Sequence, residues 1–225
     1  MGDPRTKLTH DEILEAGLAD WRLLLNGLRA RFRTGDFATG LDLVDRIGAA
    51  AEEADHHPDI TLTYADVVVT LSSHDVGGIT SRDIDLARRV RDLAAAVGAS
   101  PDVERLTQLE PGLDTADGSR LGPFYAALLG VDLENGEPVD PTHQVPTLWF
   151  QEPAEGDDGG PGLPEQDHEQ RWHLDVWVPW DQAEARLQAV QEAGGRLVSD
   201  AAAPAYWVVE DADGNRACIC TPHGR

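Results

Sequence analysis

Three histidines carry the chemistry that this sequence could do. His56 and His57 are adjacent and followed by Pro58, and His74 comes seventeen residues after His57, at the end of a β-branched run. Imidazole titrates nearer neutrality than other side chains, so three in one place make an acid–base apparatus. Two carboxylates accompany them. Glu52 stands four residues before His56, one turn of helix away. It reads either as a partner that orients His56 and favours its charged form, or as a solvated helix carboxylate. Asp83 reads either as a contact to a bound ligand or as a helix cap.

The elements around these residues must bring them together. In one straight strand His57 and His74 would stand roughly 50 Å or more apart, too far to cooperate. Pro58 disfavours helix at His57, so a helix over the preceding residues should end there. That helix starts at Gly35-Asp36, and Phe37, Leu41, Val44, Ile47 and Ala51 form its apolar stripe. Two strand-like pieces follow, Ile60–Thr63 and Val67–Ser73. A turn at Tyr64–Asp66, with Tyr64 packing there, would return the chain and set His74 beside the His pair. Gly77-Gly78 then lets the backbone leave. Thr80 and Asp83 stand as N-cap and N3 of a last helix reaching about Val97, with Ile84, Ala87, Val90 and Leu93/Ala94 buried. Upstream, Thr9 and Glu12 have capping-box spacing for a helix over 10–20. Asn26-Gly27 is a hairpin turn signal within Trp21–Phe32.

At 225 residues the chain has room for two domains. Its net charge is −23, with 11 basic and 17 acidic residues before position 99 and 7 and 24 after it. Such a field repels phosphate backbones and anionic lipid, so nucleic acid and membrane are excluded as partners. No apolar run approaches the ~18 residues of a membrane span, and the first residues lack the apolar core of a secretion signal. Cys218 and Cys220 are two apart in a strand-like run, poorly placed to bridge. A reduced, cytoplasmic setting is expected.

The first domain is expected over 1–98, a linker over 99–104 and a second domain over 105–225. The second half carries a faint repeat. Asp117 opens a helix ending at Gly130, and Asp181 opens another ending at Gly194, each Asp–Gly pair being 13 residues apart. Strand candidates precede them (Leu106–Leu113; Trp172–Val178) and follow them (Pro146–Phe150; Tyr206–Glu210 and Ala217–Thr221). Two β-α-β-β units are the economical reading, with 154–170 as an acidic, Gly- and Pro-rich loop. The fold class is α+β.

Glu52, His56-His57-Pro58, Tyr64, His74 and Asp83 at these spacings resemble the pterin-4a-carbinolamine dehydratase family. Trp21 and the Gly-Ile-Thr before Asp83 look like it too, and the resemblance covers about residues 8–97. It implies a four-stranded antiparallel sheet with helices on one face. The second half resembles the glyoxalase-like, vicinal-oxygen-chelate superfamily through Phe124–Gly130, Arg171–Asp175 and Asp211–Asn215. Metal-dependent members carry Glu where this chain has Cys218. His173 stands where a metal-binding His could lie, but no His or Glu on the first strand joins it. No metal centre is therefore expected in this domain.

The first resemblance implies dehydration of a 4a-hydroxytetrahydropterin to the quinonoid dihydropterin. Hydroxide leaves poorly, so an acid must protonate it, and a ring-nitrogen proton must depart. The resemblance implies no metal and no redox cofactor. It makes His56 and His74 the acid and base, and gives His57 mainly a binding role. Glu52 and Asp83 are the expected substrate-binding residues. The implied partners are a pterin substrate, a pterin-dependent hydroxylase and further copies of the chain. The other reading is a non-catalytic small-molecule binder using the second domain, with the first as an oligomerisation module.

Overall fold

The computed structural model describes residues 3–115, 118–119, 121–122, 126, 131–143, 146–151, 172–192, 195–210 and 216–224. The chain divides into two compact units, 1–106 and 107–225. Among the described residues no helix is long and apolar enough to cross a membrane.

The first unit is an antiparallel sheet with helices on one face. Helix α1 (His10–Glu15) carries the expected capping box, Thr9 and Glu12 each bonding the other's backbone amide. It is shorter than expected, and Gly17 beyond it adopts a positive φ of 67°. Strands β1 (Arg22–Leu24) and β2 (Gly27–Arg33) form the first hairpin. Leu24 pairs with Gly27, so the turn residues are Leu25-Asn26 rather than Asn26-Gly27. Gly27 is needed in the strand, because a Cβ there would come 2.9 Å from Thr70 Cγ2.

Helix α2 (Phe37–Ala54) follows, capped by Asp36 accepting from the Thr39 amide. Its buried residues are Gly40, Leu43, Ile47, Ala50 and Ala51. The expected stripe is thus rotated, and Phe37 and Leu41 are exposed. Small residues face the sheet because the approach is close: a Cβ on Gly40 would meet Leu62 Cδ1 at 2.6 Å. Strands β3 (Asp59–Leu62) and β4 (Asp66–Leu71) then pair, Asp59 with Thr70 through Leu62 with Val67. The turn lies at Thr63–Ala65, closed by the Thr63 amide on the Asp66 carbonyl at 2.9 Å. Tyr64 at its tip is 73% exposed, so it is not the packing residue expected there.

Helix α3 (Ser81–Ala96) is capped by Thr80. The sheet order is β1-β2-β4-β3, and Leu28, Ala30 and Phe32 of β2 join Val67, Val69 and Leu71 of β4 in one core with Leu43, Ile47, Ile84, Ala87 and Val90 of the helices. The stretch expected to connect the domains carries structure of its own. Ser100-Pro101 (β5) pairs with the end of β2, and the Asp102 amide donates to the Arg31 carbonyl at 2.8 Å.

In the second unit the described strands are β6 (Gln108–Asp114), β7 (Asp132–Glu134), β8 (Glu137–Val139), β9 (Trp149–Gln151), β10 (Trp172–Trp177), β11 (Arg196–Ser199), β12 (Tyr206–Glu210) and β13 (Arg216–Cys220). Six of them form a sheet in the order β11-β12-β13-β10-β6-β9, and β7 pairs with β8. Helix α4 (Ala183–Glu192) packs Leu187 and Val190 against Val176, Val209 and Ile219. The second module is therefore β10-α4-β11-β12-β13, with one strand more than the expected repeat. Most of the motif Phe124–Gly130 and of the Asp117–Gly130 helix, the motif Asp211–Asn215, Arg171 and the loop 154–170 lie outside the described residues.

Candidate active site

The end of α2 sets His56. Asp55 takes the left-handed conformation, φ 48° and ψ 42°, which a short polar side chain tolerates. The His56 amide then reaches back to the Ala51 carbonyl at 3.1 Å, closing the helix as in a Schellman motif. Beyond this reversal the His56 ring is buried, and its Nε2 lies 2.7 Å from Asp83 Oδ1.

Asp83 serves two structures at once. As N3 of α3 its Oδ2 accepts from the Thr80 amide at 2.7 Å, completing the capping box. The same oxygen accepts from Ser73 Oγ at 2.7 Å and Thr80 Oγ1 at 3.2 Å. The carboxylate is wholly buried, with both oxygens occupied by protein groups. It is therefore not presented to a ligand, and it fixes His56 instead.

Glu52 does not meet His56. Its Oε1 lies 3.1 Å from Nε2 of His57, and both side chains are largely exposed. The i,i+4 spacing makes neighbours only within a helix, and His56 stands past the left-handed residue that ends α2. Each adjacent histidine thus has its own carboxylate, one buried and one in solvent.

His74 opens a tight turn. Ser73 and Gly78 form a bridge, with the Ser73 amide on the Gly78 carbonyl at 2.9 Å. Gly77 has a positive φ of 63°. Gly78 leaves room for the Lys7 stem, and Lys7 Nζ donates to the Gly77 carbonyl at 3.0 Å. Arg82 donates to Asp75 at 2.6 Å. That bond holds the Asp75 carboxyl below the usual carboxylate range, with desolvation opposing and the Arg82 charge adding to it. The His74 ring is exposed on this anchored turn.

The hairpin register puts the His56-His57 pair and His74 at the same end of β3–β4. Asp83 ties them further, since it holds both His56 and Ser73, the residue before His74. Thr80 holds the N-cap place expected of it and also bonds Ser73, whereas Ser73, Lys7 and Arg82 are positioning residues that sequence reasoning missed. Of these three, only Ser73 carried a signal, the inward parity of a position two residues past the buried Leu71.

The second unit holds a different cluster. His173, Asp175 and Cys218 are buried, and one donor atom from each lies within 4.8 Å of the others. The sequence reading considers His173 and Cys218 together through the resemblance but does not include Asp175 with them. The parallel pairing of β10 with β13 sets Asp175 opposite Cys218.

Residues 6–93 match the family model described as pterin 4 alpha carbinolamine dehydratase. Residues 112–220 match the one described as glyoxalase-like domain. A protein of Nocardia farcinica (strain IFM 10152), named "Putative pterin-4-alpha-carbinolamine dehydratase", is 41% identical over 92 residues, which is 40% of this chain and 97% of that protein. A protein of the same name from Picosynechococcus sp. (strain ATCC 27264 / PCC 7002 / PR-6) is 42% identical over 85 residues, covering 36% of this chain and 91% of its own length. The crystal structure of a transcriptional coactivator/pterin dehydratase from Brucella melitensis aligns at 32% identity and a TM-score of 0.39, over 40% of this chain and 99% of that one.

Proposed function

Since the chain belongs to the pterin-4a-carbinolamine dehydratase family through its first unit and carries a glyoxalase-like domain after it, we propose that the first unit dehydrates 4a-hydroxytetrahydropterins. The observation that carries this reading is the buried His56–Asp83 pair, joined through Ser73 to the turn that bears His74. The substrate's C4a–O bond must break with its electron pair going to oxygen. An imidazolium among the three histidines protonates the departing hydroxide, giving water. The ring-nitrogen proton passes to a neutral imidazole or to solvent, and the electrons of that N–H bond form the new C=N bond. Proton inventory balances, and no electron acceptor is required.

In this reading His56 and His74 exchange the protons, and His57 with Glu52 contacts the pterin at the solvent-facing side. Asp83 acts through His56 as a positioning residue. The domain runs to Leu106 rather than ending at 98. The carbinolamine would come from a pterin-dependent hydroxylase, and the chain would act as a homo-oligomer.

The test is turnover of a chemically generated 4a-hydroxytetrahydropterin by the purified chain, followed by absorbance of the quinonoid product. Dehydration above the spontaneous rate, unchanged by a chelator and reduced about 10²-fold or more in His56→Ala, is expected for loss of a general acid or base. A rate equal to the spontaneous one, or a rate that collapses with chelator and returns with a divalent ion, contradicts the proposal.

A further inference from the structure

We infer that residues 3–8, ahead of α1, are a strap that fixes the turn bearing His74, with Lys7 as its positioning residue. The consequence for turnover rests on the dehydratase reading, whereas the restraint on the turn stands without it.

The turn needs restraint from outside. It contains the adjacent glycines Gly77 and Gly78, and glycine loses more conformational freedom on ordering than any other residue. Its base is closed by the Ser73 amide on the Gly78 carbonyl at 2.9 Å, and the Val76 amide reaches the Ser73 carbonyl at 3.1 Å. The Gly77 amide to the His74 carbonyl and the Gly78 amide to the Ser73 carbonyl both span 3.4 Å, beyond the ~3.2 Å of an ordinary N–H···O bond. The arc that carries the exposed His74 ring is therefore loosely held by its own backbone.

Residues 3–8 supply that restraint. The Gly77 carbonyl accepts from Lys7 Nζ at 3.0 Å, and the Ile79 carbonyl accepts from the Leu8 amide at 2.8 Å. The carbonyl between them, on Gly78, bonds back to Ser73. Carbonyls 77 and 79 thus face the strap while 78 faces the turn, the alternation of an extended chain. Both ends of the strap are anchored. Leu8 packs against the core that includes Ile79. At the other end Asp3 takes the Arg5 amide on its side chain at 2.9 Å and the Thr6 amide on its carbonyl at 3.0 Å, a local turn that aspartate favours. Arg5 Nε then stands 3.6 Å from Asp75 Oδ2, while Arg82 holds Oδ1.

Lys7 and Gly78 are fitted to each other. A Cβ on Gly78 would meet Lys7 Cδ at 2.8 Å and Cγ at 3.1 Å, with Cε nearer still. Gly78 does not have a positive φ. The lysine stem, rather than backbone conformation, is what requires glycine there. Stem and ammonium thus act on consecutive residues of the turn, Gly78 by packing and Gly77 by its carbonyl. His74 reaches a substrate only as far as this backbone lets it, and a misplacement of about 1 Å can cost about 10²-fold in rate.

In the full chain, hydrogen exchange at the Leu8 and Ser73 amides is followed by NMR beside dehydratase turnover. Lys7→Met keeps the stem and removes the donor. It should speed exchange at both amides about tenfold, the scale of one lost hydrogen bond. It should lower kcat about tenfold, less than a full 1 Å misplacement costs. KM should stay within about twofold, because Lys7 acts through the turn and not on the substrate. Lys7→Arg retains a donor and should restore both exchange and kcat. Gly78→Ala should reproduce Lys7→Met by displacing the stem, and the two together should change little more than either alone. Unchanged exchange in Lys7→Met overturns the strap, whatever the turnover. Faster exchange with kcat unchanged, or a rise in KM alone, overturns the positioning role of Lys7. A parent chain without turnover contradicts the dehydratase reading instead, and exchange then decides the strap.

Discussion

Asp83 joins stability and chemistry in one carboxylate. Its oxygens hold His56, Ser73 and the Thr80 amide in a buried network. Asp83→Ala should lower unfolding free energy by about 3 kcal/mol or more, because each buried donor left unpaired costs roughly 1–3 kcal/mol. A urea denaturation midpoint unchanged from the parent would contradict this. Residues that act as a unit are not additive. The Asp83→Ala/His56→Ala chain should therefore lose less turnover than the product of the two single losses. His74 presents the opposite case, exposed and outside the core. His74→Ala should cut turnover about 10²-fold, as for a lost acid or base, while stability stays within about 0.5 kcal/mol, as for surface substitutions. An equal fall in both would mark His74 as structural.

Two elements hold the site's geometry: the N-terminus of α3 and the 74–77 turn. Thr80 caps α3, and its wholly buried hydroxyl also meets Ser73 at 2.9 Å. Thr80→Ala should cost about 1–2 kcal/mol, the usual worth of a threonine cap; a thermal midpoint equal to the parent's would contradict it. The turn is anchored by Arg82 on Asp75, whose folded pKa is lowered. A carboxylate with a depressed folded pKa stabilises the native state above its unfolded value, about 3.9. That contribution disappears as pH falls through the lowered folded pKa. Between pH 5 and 8, where histidines titrate, the anchor should stay intact. NMR of the Asp75 carboxyl carbon should give a midpoint below about 3.9, and one at or above it would refute the anchor.

At the level of the whole chain, the first unit closes on itself only after β5. Residues 1–106 expressed alone should fold and retain dehydratase turnover. Residues 1–98 should be less stable, because they lose the β5 pairing with β2, the Asp102–Arg31 backbone bond and the buried Ala99. Circular dichroism melts of the two fragments decide this, and equal midpoints would return the domain boundary to 98.

Local interactions made much of this protein legible in its sequence. The Thr9/Glu12 and Thr80/Asp83 capping boxes, the Asp36 cap and the strands that flank Tyr64 depend on neighbours within a few residues, and such features carry their own signals. The motif around His56, His57 and His74 was equally readable. Tertiary structure alone decided which carboxylate meets which histidine. Glu52 looked like the partner of His56 by helical spacing, but the left-handed Asp55 ends the helix first, and the buried Asp83 arrives from α3. It decided which face of α2 is buried, since apolar residues lie on more than one side and the small ones allow the sheet's approach. It also set Asp175 opposite Cys218, 43 residues further along the chain. Strand pairing across that distance depends on register and sheet order, which no local pattern of residues encodes.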